Sequence, residues 1–478
     1  MNIIGREKEK RILENCLNSG RPEFIAVYGR RRVGKTYLIK EYFNNNFSFY
    51  ATGASDLNMK GQLRLFYESL LQYGREDRTQ PKDWFEAFRM LRELLEKPTV
   101  HRDPASGRKV IFLDELPWMD TRRSEFKSAL DYFWNSWASA QEDIVLIVCG
   151  SATSWIIENL LKDTGGLHNR VTRQLYLRPF SLHECEQLFS ANGIILTRQQ
   201  IIQSYMIFGG IPYYLNYFDR RLSLAQNIEV ICFQEESPLR YEFGRLYASL
   251  FRNSRMHMKI IKTLAKNGNG MSRAELAKQK DISDGAGLTD ALNELEQCGF
   301  IRKYKNLTRS DSTWLYQVVD PFTLFHLRFL ENGDVESWMT HINTPGFYSW
   351  SGLAFELVCL LHVGQMKTAL GIQSVETSEY SWRSSETKPG AQIDLVIDRK
   401  DDVINLCEMK FSMEPYKIDA AYEKSLLTKT EVFRKETGTK KALHLTFVSA
   451  NDLARNAHAN CIVSEIRGED LFAPENML

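Results

Sequence analysis

The feature that most constrains this chain is the segment GRRRVGKT at residues 29–36, which follows the short apolar run FIAVY. It matches the pattern G-x-x-x-x-G-K-[ST] between a predicted strand and a predicted helix, the setting that this pattern requires. Gly29 and Gly34 allow a tight turn in which successive backbone N–H groups surround a phosphate. The helix expected at residues 35–43 adds its positive N-terminal end. The segment therefore predicts a phosphate-binding loop on an α/β sheet.

The pattern assigns nine residues of this segment to nucleotide binding: Gly29, Arg30, Arg31, Arg32, Val33, Gly34, Lys35, Thr36 and Tyr37. Lys35 would reach the β- and γ-phosphates, and the Thr36 hydroxyl would ligate Mg²⁺. The alternative is a chance match, which the flanking strand and helix patterns argue against. We expect ATP and Mg²⁺ as cofactors.

Two further apolar segments predict strands of the same sheet. KVIFLDE at residues 109–115 ends in two carboxylates, about 80 residues after Lys35. Asp114 would hold Mg²⁺, directly or through water, and Glu115 would polarise the attacking water; the alternative is a solvated strand end. IVLIVCGS at residues 144–151 ends at Ser151, which could sense the γ-phosphate, position water or cap the next helix. Strands alternating with helices predict a doubly wound parallel sheet.

Bulk composition narrows the class of protein. The chain has 478 residues, enough for about three domains, with 43% hydrophobic and 25% charged residues. Its formal net charge of +1 provides no global attraction to nucleic acid or membranes. The eight cysteines form no C-x-x-C pair, and we find no signal-peptide core and no apolar run near 18 residues. We expect a cytoplasmic protein with no membrane partner.

Four segments together resemble the archaeal and bacterial AAA-type ATPases of the DEXX-box family: IGRE at residues 4–7, YGRRRVGKT at 28–36, LDELPW at 113–118 and GGIPY at 209–213. The resemblance covers residues 1–330. It implies an adenine contact near Ile4 and Arg6 and a helical lid from about residue 181. It also implies an arginine that engages the γ-phosphate, either Arg170 or Arg173, in the same chain or across a subunit boundary; either could instead be an ordinary surface arginine. We interpret Gly209–Pro212 as a lid elbow.

Residues 257–319 predict three helices followed by a hairpin, which resembles a winged helix-turn-helix. Ser272 and Glu275 form a capping-box pattern at the start of one helix. The helix at residues 288–297 carries the acids Asp290, Glu294 and Glu296, which phosphates would repel. The basic residues lie in the hairpin: Arg302, Lys303, Lys305 and Arg309. This pattern favours docking within the chain or to a protein, and direct DNA contact remains open.

The C-terminal region predicts the element order α-β-β-β-α-β, with Glu356 on the first helix, Asp394 on a strand, and Glu408 and Lys410 on the next strand. This order resembles the PD-(D/E)XK nuclease superfamily across residues 345–478, although Gln392-Ile393 stands where proline often precedes the aspartate. With a period of two, Glu408 and Lys410 face the same side. Asp394 and Glu408 could hold Mg²⁺, Glu356 could complete the site or hold a second ion, and Lys410 would position or deprotonate the attacking water.

These predictions combine into an α/β protein with four domains: a P-loop ATPase core at residues 1–180, a helical lid at 181–255, a winged helix at 256–335 and a restriction-endonuclease-like domain at 341–478. We expect an ATP-hydrolysing ATPase coupled to a metal-dependent nuclease, with nucleic acid, DNA favoured, as the partner. The alternatives are a regulatory ATPase whose C-terminal domain only binds, and a DNA-binding regulator without a C-terminal enzyme. The resemblance also implies self-association, which no repeat or coiled coil demands.

Overall fold

The computed structural model describes residues 3–77, 79–162, 165–167, 169–251, 254–268, 270–307, 312–331, 336–384 and 390–474. The chain divides into two compact units, Met1–Pro179 and Phe180–Leu478. The division falls where the ATPase core was predicted to end. The predicted lid, winged helix and C-terminal domain all lie in the second unit, and their separation into three domains stays a prediction.

The first unit contains one five-stranded sheet with helices on both faces. Its strands are β1 Glu23–Tyr28, β2 Phe49–Thr52, β3 Lys109–Asp114, β4 Ile144–Gly150 and β5 Arg173–Tyr176. Its helices are α1 Glu7–Leu17, α2 Lys35–Tyr42, α3 Met59–Gln72, α4 Trp84–Leu95, α5 Leu116–Met119, α6 Phe126–Ser136 and α7 Thr153–Ile156. The strand order is β2-β3-β4-β1-β5, and every pairing is parallel.

Alternate residues of one strand belong to different hydrophobic cores. Phe24 and Ala26 of β1 pack into one cluster, whereas Ile25 and Val27 pack into another. A sheet buried on both faces needs strands that are apolar at successive positions, which β3 and β4 satisfy because all of their residues are buried. The predicted α/β fold with a parallel sheet is therefore confirmed for this unit.

The second unit is built around an eight-stranded sheet. Its strands are β6 Met271–Ser272, β7 Ile301–Leu307, β8 Ser312–Val318, β9 Thr377–Arg383, β10 Gln392–Arg399, β11 Val403–Lys410, β12 Ala442–Ser449 and β13 Ser464–Arg467. Its helices are α8 Leu182–Ala191, α9 Arg198–Phe208, α10 Pro212–Leu215, α11 Leu224–Ile228, α12 Glu242–Leu250, α13 Ser254–Lys266, α14 Arg273–Ala277, α15 Ala286–Gln297, α16 Pro321–Phe325, α17 Trp338–His341, α18 Pro345–Leu361, α19 Val363–Ala369 and α20 Ala420–Thr437.

The strand order of this sheet is β13-β12-β11-β10-β9-β7-β8-β6. Strands β9, β10 and β11 are antiparallel neighbours, whereas β11 and β12 are parallel. A parallel neighbour requires a crossover connection, which α20 provides. The order of α18, β9, β10, β11, α20 and β12 is the α-β-β-β-α-β order predicted from the sequence, with the short helix α19 inserted after α18.

The predicted winged-helix segment has its expected elements, and its hairpin joins the C-terminal strands. Ser272 and Glu275 form the predicted capping box, and strand β7 of the hairpin pairs with β9 at Asn306 and Ser381. Arg302 on β7 is partly buried, its guanidinium donates to the Gln317 side chain (2.8 Å), and burial lowers its pKa.

The charges of this segment differ in part from the prediction. Of the three acids on α15, Asp290 is exposed, but Glu294 contacts His257 (2.6 Å) and Glu296 is partly buried. The hairpin lysines lie over an aromatic ring, Lys303 at 4.9 Å and Lys305 at 5.2 Å from the Trp314 ring centre. Arg309 falls outside the described residues. The pairing with β9 places this hairpin against another segment of the same chain, and the choice between docking and direct DNA contact stays open.

The predicted elbow is a sharp break between α9 and α10. Gly209 and Gly210 both have positive φ, 62° and 66°, and Pro212 begins α10. A Cβ on Gly210 would clash with the carbonyl oxygen of Phe180. The backbone N–H of Phe180 donates to the Gly210 carbonyl (2.7 Å), which holds the two segments close together. Only glycine meets both requirements at this position. The role of the elbow in coupling remains a hypothesis.

Replacing Gly210 with alanine should lower the free energy of unfolding by about 2–3 kcal/mol, because the left-handed backbone and the clash with Phe180 act together. Thermal or urea denaturation of the full chain measures this change. Gly244→Ala is the matched control, since Gly244 lies within α12 with nothing near its added Cβ. It should be neutral or stabilise the protein by up to about 1 kcal/mol. Equal stability of the two variants would contradict the argument.

A buried histidine links the first helix of the second unit to the C-terminal helices. His362 lies between α18 and α19, its Nε2 accepts the Leu182 backbone N–H (3.0 Å), and its Nδ1–H donates to the Val358 carbonyl (2.8 Å). Burial lowers the pKa of His362 to about 4. The neutral ring is therefore the form that the fold requires.

Between pH 6.5 and pH 4 the unfolded chain binds a proton at His362 that the folded chain does not, so the free energy of unfolding falls as the pH falls. We expect His362→Gln to remove this contribution, which amounts to a slope of up to about 1.4 kcal/mol per pH unit. Denaturation curves across this pH range measure the slope. The exposed His101→Gln is the control, and its slope should match the wild type. An unchanged slope in His362→Gln would refute the assignment.

Among the described residues, no single helix is long and apolar enough to cross a membrane. Helices α18 and α19 pass the length and composition test only as a pair, bent by 76°.

Candidate functional site

The predicted phosphate loop connects the carboxyl end of β1 to the start of α2. Gly29 has a φ of 138°, and a Cβ there would clash with the Leu177 carbonyl oxygen. Gly34, with a φ of 91°, is the N-cap of α2. The Lys35 ammonium is buried inside the curve of the loop and donates to the carbonyls of Gly29 and Arg30, at 2.9 Å each. The loop therefore holds a lysine next to the backbone amides that would surround a phosphate.

The remaining predicted nucleotide contacts lie around this loop. Arg6 is buried with a left-handed backbone at the start of α1, and its guanidinium donates to the Val33 carbonyl (3.2 Å), which ties the N-terminal segment to the loop. Ile4 is partly buried. The other loop side chains range from buried to exposed: Arg30 is buried, Arg31, Arg32 and Thr36 are partly buried, and Tyr37 is exposed.

Thr36 and Asp114 meet at the carboxyl edge of the sheet. The Thr36 hydroxyl donates to Asp114 Oδ1 (3.1 Å), and the Glu115 backbone N–H donates to the same oxygen (3.0 Å). Burial and the neighbouring charge of Glu115 raise the pKa of Asp114. Mg²⁺ bound to a nucleotide takes few ligands from the protein, and a hydroxyl next to a carboxylate oxygen can supply them. The donor set therefore fits the predicted ion.

Sequence reasoning missed the thiol that supports this carboxylate. The Cys149 side chain, on β4, is hydrogen-bonded to Asp114, and burial raises the pKa of this thiol. In the sequence Cys149 looked like one more small apolar residue of a buried strand. Its position two residues before Ser151, on a strand next to β3, was the available signal.

Glu115 is held by the end of the neighbouring strand. Its backbone is left-handed (φ 46°), and its carboxylate accepts the Ser151 hydroxyl (2.6 Å) and the Ser151 backbone N–H (3.2 Å). Ser151 caps no helix, because the N-cap of α7 is Ala152. Ser151 therefore contacts Glu115, the carboxylate predicted to polarise water, and its roles in sensing the γ-phosphate or positioning water stay predictions.

The two candidate arginines lie in β5 and in the segment before it. Arg173 pairs with Ile25 at the amino half of β1, and its charge acts on Glu23. The phosphate loop follows the other end of β1, and a γ-phosphate contact of Arg173 within the same chain stays a prediction. Arg170 is exposed three residues earlier and bonds the Gly166 carbonyl (3.5 Å). A contact across a subunit boundary stays a prediction for both.

The C-terminal candidates converge on two neighbouring strands. Leu395 pairs with Cys407, which brings the adjacent Asp394 and Glu408 next to each other. Glu408 is buried and accepts from Lys410 (3.1 Å), while Asp394 accepts from the Gln392 side chain (2.7 Å). Burial opposes ionisation of Glu408, but the nearby lysine ammoniums lower its pKa overall.

Glu356 on α18 faces the same group. Burial and the Asp394 charge raise the pKa of Glu356 to about 8. The pKa of Lys410 is raised because the attraction of Glu408 outweighs burial. No group of three or more His, Cys, Asp or Glu in the described residues is arranged to hold a metal. The predicted ligand set of Glu356, Asp394 and Glu408 therefore stays a prediction, and the adjacent pair Asp394 and Glu408 is its best-placed part.

Two residues of α20 complete this cluster, and sequence reasoning missed both. Tyr422 donates its hydroxyl to Glu408 Oε1 (2.5 Å), and Lys429 donates to Oε2 (2.7 Å). A groove of about 490 Å³ lies beside them. The available signal was their spacing of seven residues, which puts both on one face of a helix. The sequence alone did not show which face of α20 meets β11.

Comparison with known proteins supports a P-loop ATPase. A family model described as "ATPase domain predominantly from Archaea" matches residues 3–218. This part of the chain is therefore similar to that family of ATPase domains. The chain is also similar to two proteins of Methanocaldococcus jannaschii: an uncharacterized ATP-binding protein, 45% identical over 43 residues (9% of this chain and 73% of the relative), and an uncharacterized protein, 25% identical over 336 residues (69% of each).

Two solved structures are distantly similar to this ATPase. The Walker-type ATPase of Pyrococcus abyssi has a TM-score of 0.49 at 20% identity, over 68% of this chain and 96% of that one. The Aeropyrum pernix ORC2 protein, in complexes with ADPNP and ADP, has a TM-score of 0.43 at 15% identity, over 72% and 96%. Likenesses at this distance add nothing to the assignment.

Proposed function

We propose that this ATPase drives or regulates a metal-dependent nuclease formed by its C-terminal strands, with DNA as the favoured substrate. The observation that carries the nuclease proposal is the convergence of Asp394, Glu408 and Lys410 on neighbouring strands, with the Lys410 ammonium in contact with the Glu408 carboxylate. The ATPase part rests on the family match and on the contact between Thr36 and Asp114.

For ATP hydrolysis, different residues of the first unit bind the phosphates, hold the ion and activate water. Lys35 binds the β- and γ-phosphates, and the loop amides between Gly29 and Lys35 complete the phosphate contacts. Thr36 and Asp114 would hold Mg²⁺, whose positive charge would stabilise the charge that develops on the phosphates. Glu115 takes the proton of the attacking water, and its contact with Ser151 sets the direction of its carboxylate.

For phosphodiester cleavage, Asp394 and Glu408 would hold a divalent ion, which would supply Lewis-acid polarisation of the phosphate. Lys410 orients the attacking water and balances the charge that develops on the phosphate. Its raised pKa supports this role over that of a base, because the ammonium form is retained at neutral pH. Glu356 would complete the site or hold a second ion; burial and the Asp394 charge raise its pKa when no ion is bound.

A regulatory ATPase with a binding-only C-terminal region is the second candidate. It is favoured by one observation: Glu408 already has three donors, namely Lys410, Lys429 and Tyr422, so no metal is needed to satisfy its charge.

One comparison separates the two candidates. Wild type, Lys35→Ala and Lys410→Ala are incubated with plasmid or single-stranded DNA, with Mg²⁺ or Mn²⁺, and with or without ATP. We expect cleavage by the wild type and none by Lys410→Ala, while ATPase activity is lost only in Lys35→Ala. Cleavage that survives Lys410→Ala would overturn the proposed site. No cleavage by a wild type that hydrolyses ATP would favour the regulatory candidate.

A further inference from the structure

Helix α20 presents a basic face to the C-terminal groove. Ala421, Lys424, Ser425 and Thr428 follow the spacing i, i+3, i+4 and i+7, which places them on one helix face, and all four line the groove. Lys429 lies beside this face, and its ammonium is 2.7 Å from Glu408. The opposite face carries Leu426 and Phe433, which are buried in the core of the sheet.

The charges in this groove do not cancel. Three lysines line it, namely Lys410, Lys424 and Lys429, against the two carboxylates Asp394 and Glu408. The remaining lining residues are uncharged, so the described groove has one excess positive charge. The Ser425 hydroxyl and the Gln392 amide, which also line the groove, are groups that bind phosphate oxygens. The ligand chemistry that fits is a phosphodiester backbone next to Asp394 and Glu408.

We infer that Lys424 and Lys429 of α20 are backbone-phosphate contacts that seat a nucleic-acid strand across Asp394, Glu408 and Lys410. The inference rests on the proposed function and adds its substrate-binding surface. The contact of Lys429 with Glu408 positions its ammonium beside the proposed cleavage site. Lys424 is exposed at the groove wall, and the described contacts of Glu408 do not include it. Lys424 therefore acts on binding alone.

The test measures binding without cleavage. A fluorescently labelled DNA duplex is titrated with the full-length protein, with Ca²⁺ in place of Mg²⁺, at several salt concentrations. We expect Lys429→Gln to weaken binding and to reduce the slope of log affinity against log salt by about 0.9, the value for one lost duplex phosphate contact. The double variant Lys424→Gln/Lys429→Gln should lose about twice that slope.

Lys435→Gln is the matched control, because Lys435 is an exposed lysine of the same helix that does not line the groove. Its affinity and slope should equal those of the wild type. Lys429→Arg keeps the charge and should restore most of the slope. ATPase activity and thermal denaturation show that each variant is folded, and a structural ion pair alone would change denaturation but leave the salt slope unaltered.

The outcomes distinguish this inference from the nuclease proposal. If Lys429→Gln binds the duplex more weakly and the wild type does not cleave DNA, the phosphate contacts are supported and the nuclease proposal is refuted. If the wild type cleaves DNA and Lys429→Gln binds the duplex as well as Lys435→Gln does, the phosphate contacts are refuted and the nuclease proposal stands. A wild type that does not bind the duplex overturns the inference as well.

Discussion

Glu115→Gln should lower ATP turnover by about 10²–10⁴-fold while ATP binding stays close to that of the wild type. The substitution preserves the shape of the side chain but removes the carboxylate that would accept a proton from water. Lys35, Thr36 and the loop amides, which would bind the phosphates, are unchanged. Phosphate release measures turnover, and titration with a fluorescent ATP analogue measures binding.

Two further variants sharpen this prediction. Glu125→Gln is the matched control, because Glu125 is an exposed glutamate with the same left-handed backbone, at the start of α6. It should hydrolyse ATP normally. Ser151→Ala removes the hydroxyl that holds Glu115 and should lower turnover less than Glu115→Gln does, since the carboxylate remains. Wild-type turnover in Glu115→Gln would mean that another group activates the water.

Asp394→Asn should abolish metal-dependent DNA cleavage, with a loss of at least about a hundredfold, because a carboxylate ligand contributes several kcal/mol to the charge balance of such a site. The variant keeps the side-chain size and can still pair with Gln392. Plasmid nicking measures cleavage, and calorimetric titration with Mn²⁺ measures ion binding, which should weaken in parallel.

The control for this experiment lies on the same strand. Asp398 is four residues along β10, where it forms an ion pair with Lys441 (2.7 Å) outside the groove. Asp398→Asn loses a partly exposed ion pair, worth at most about 1 kcal/mol of stability, and should cleave DNA normally. If Asp394→Asn and Asp398→Asn cleave equally, the metal site proposed at Asp394 is wrong.

The two functional sites differ in how far local sequence pattern specified them. For the phosphate loop, Gly29, Gly34 and Lys35 lie within one turn of the chain, so their spacing alone determines their contacts. Asp114 lies beside Thr36 because the carboxyl ends of parallel strands meet at one edge. The position of Arg173 could not be read from the sequence, because distance along the chain does not show which end of a strand a residue occupies; its parallel pairing with Ile25 puts it in the amino half of the sheet, and its role stays a prediction.

For the C-terminal site, strand periodicity was sufficient to place Glu408 and Lys410 on one face, and the predicted element order was correct. The contacts of Tyr422 and Lys429 with Glu408 could not be predicted from the sequence, because they depend on which face of α20 is turned toward β11. The pairing of β7 with β9 was equally hidden, since one main-chain contact between distant segments leaves no periodic signal.

Local chemistry therefore settles the phosphate loop, the order of helices and strands, and the acidic residues at the strand ends, because each depends on neighbours a few residues away. Packing between distant segments settles the rest: which carboxylate has lysine partners, where each arginine lies and which helix face lines the groove. These contacts join residues far apart in the chain, such as Glu408 and Lys429 at 21 positions and the paired residues Ile25 and Arg173 at 148, and they form only once the sheets are assembled.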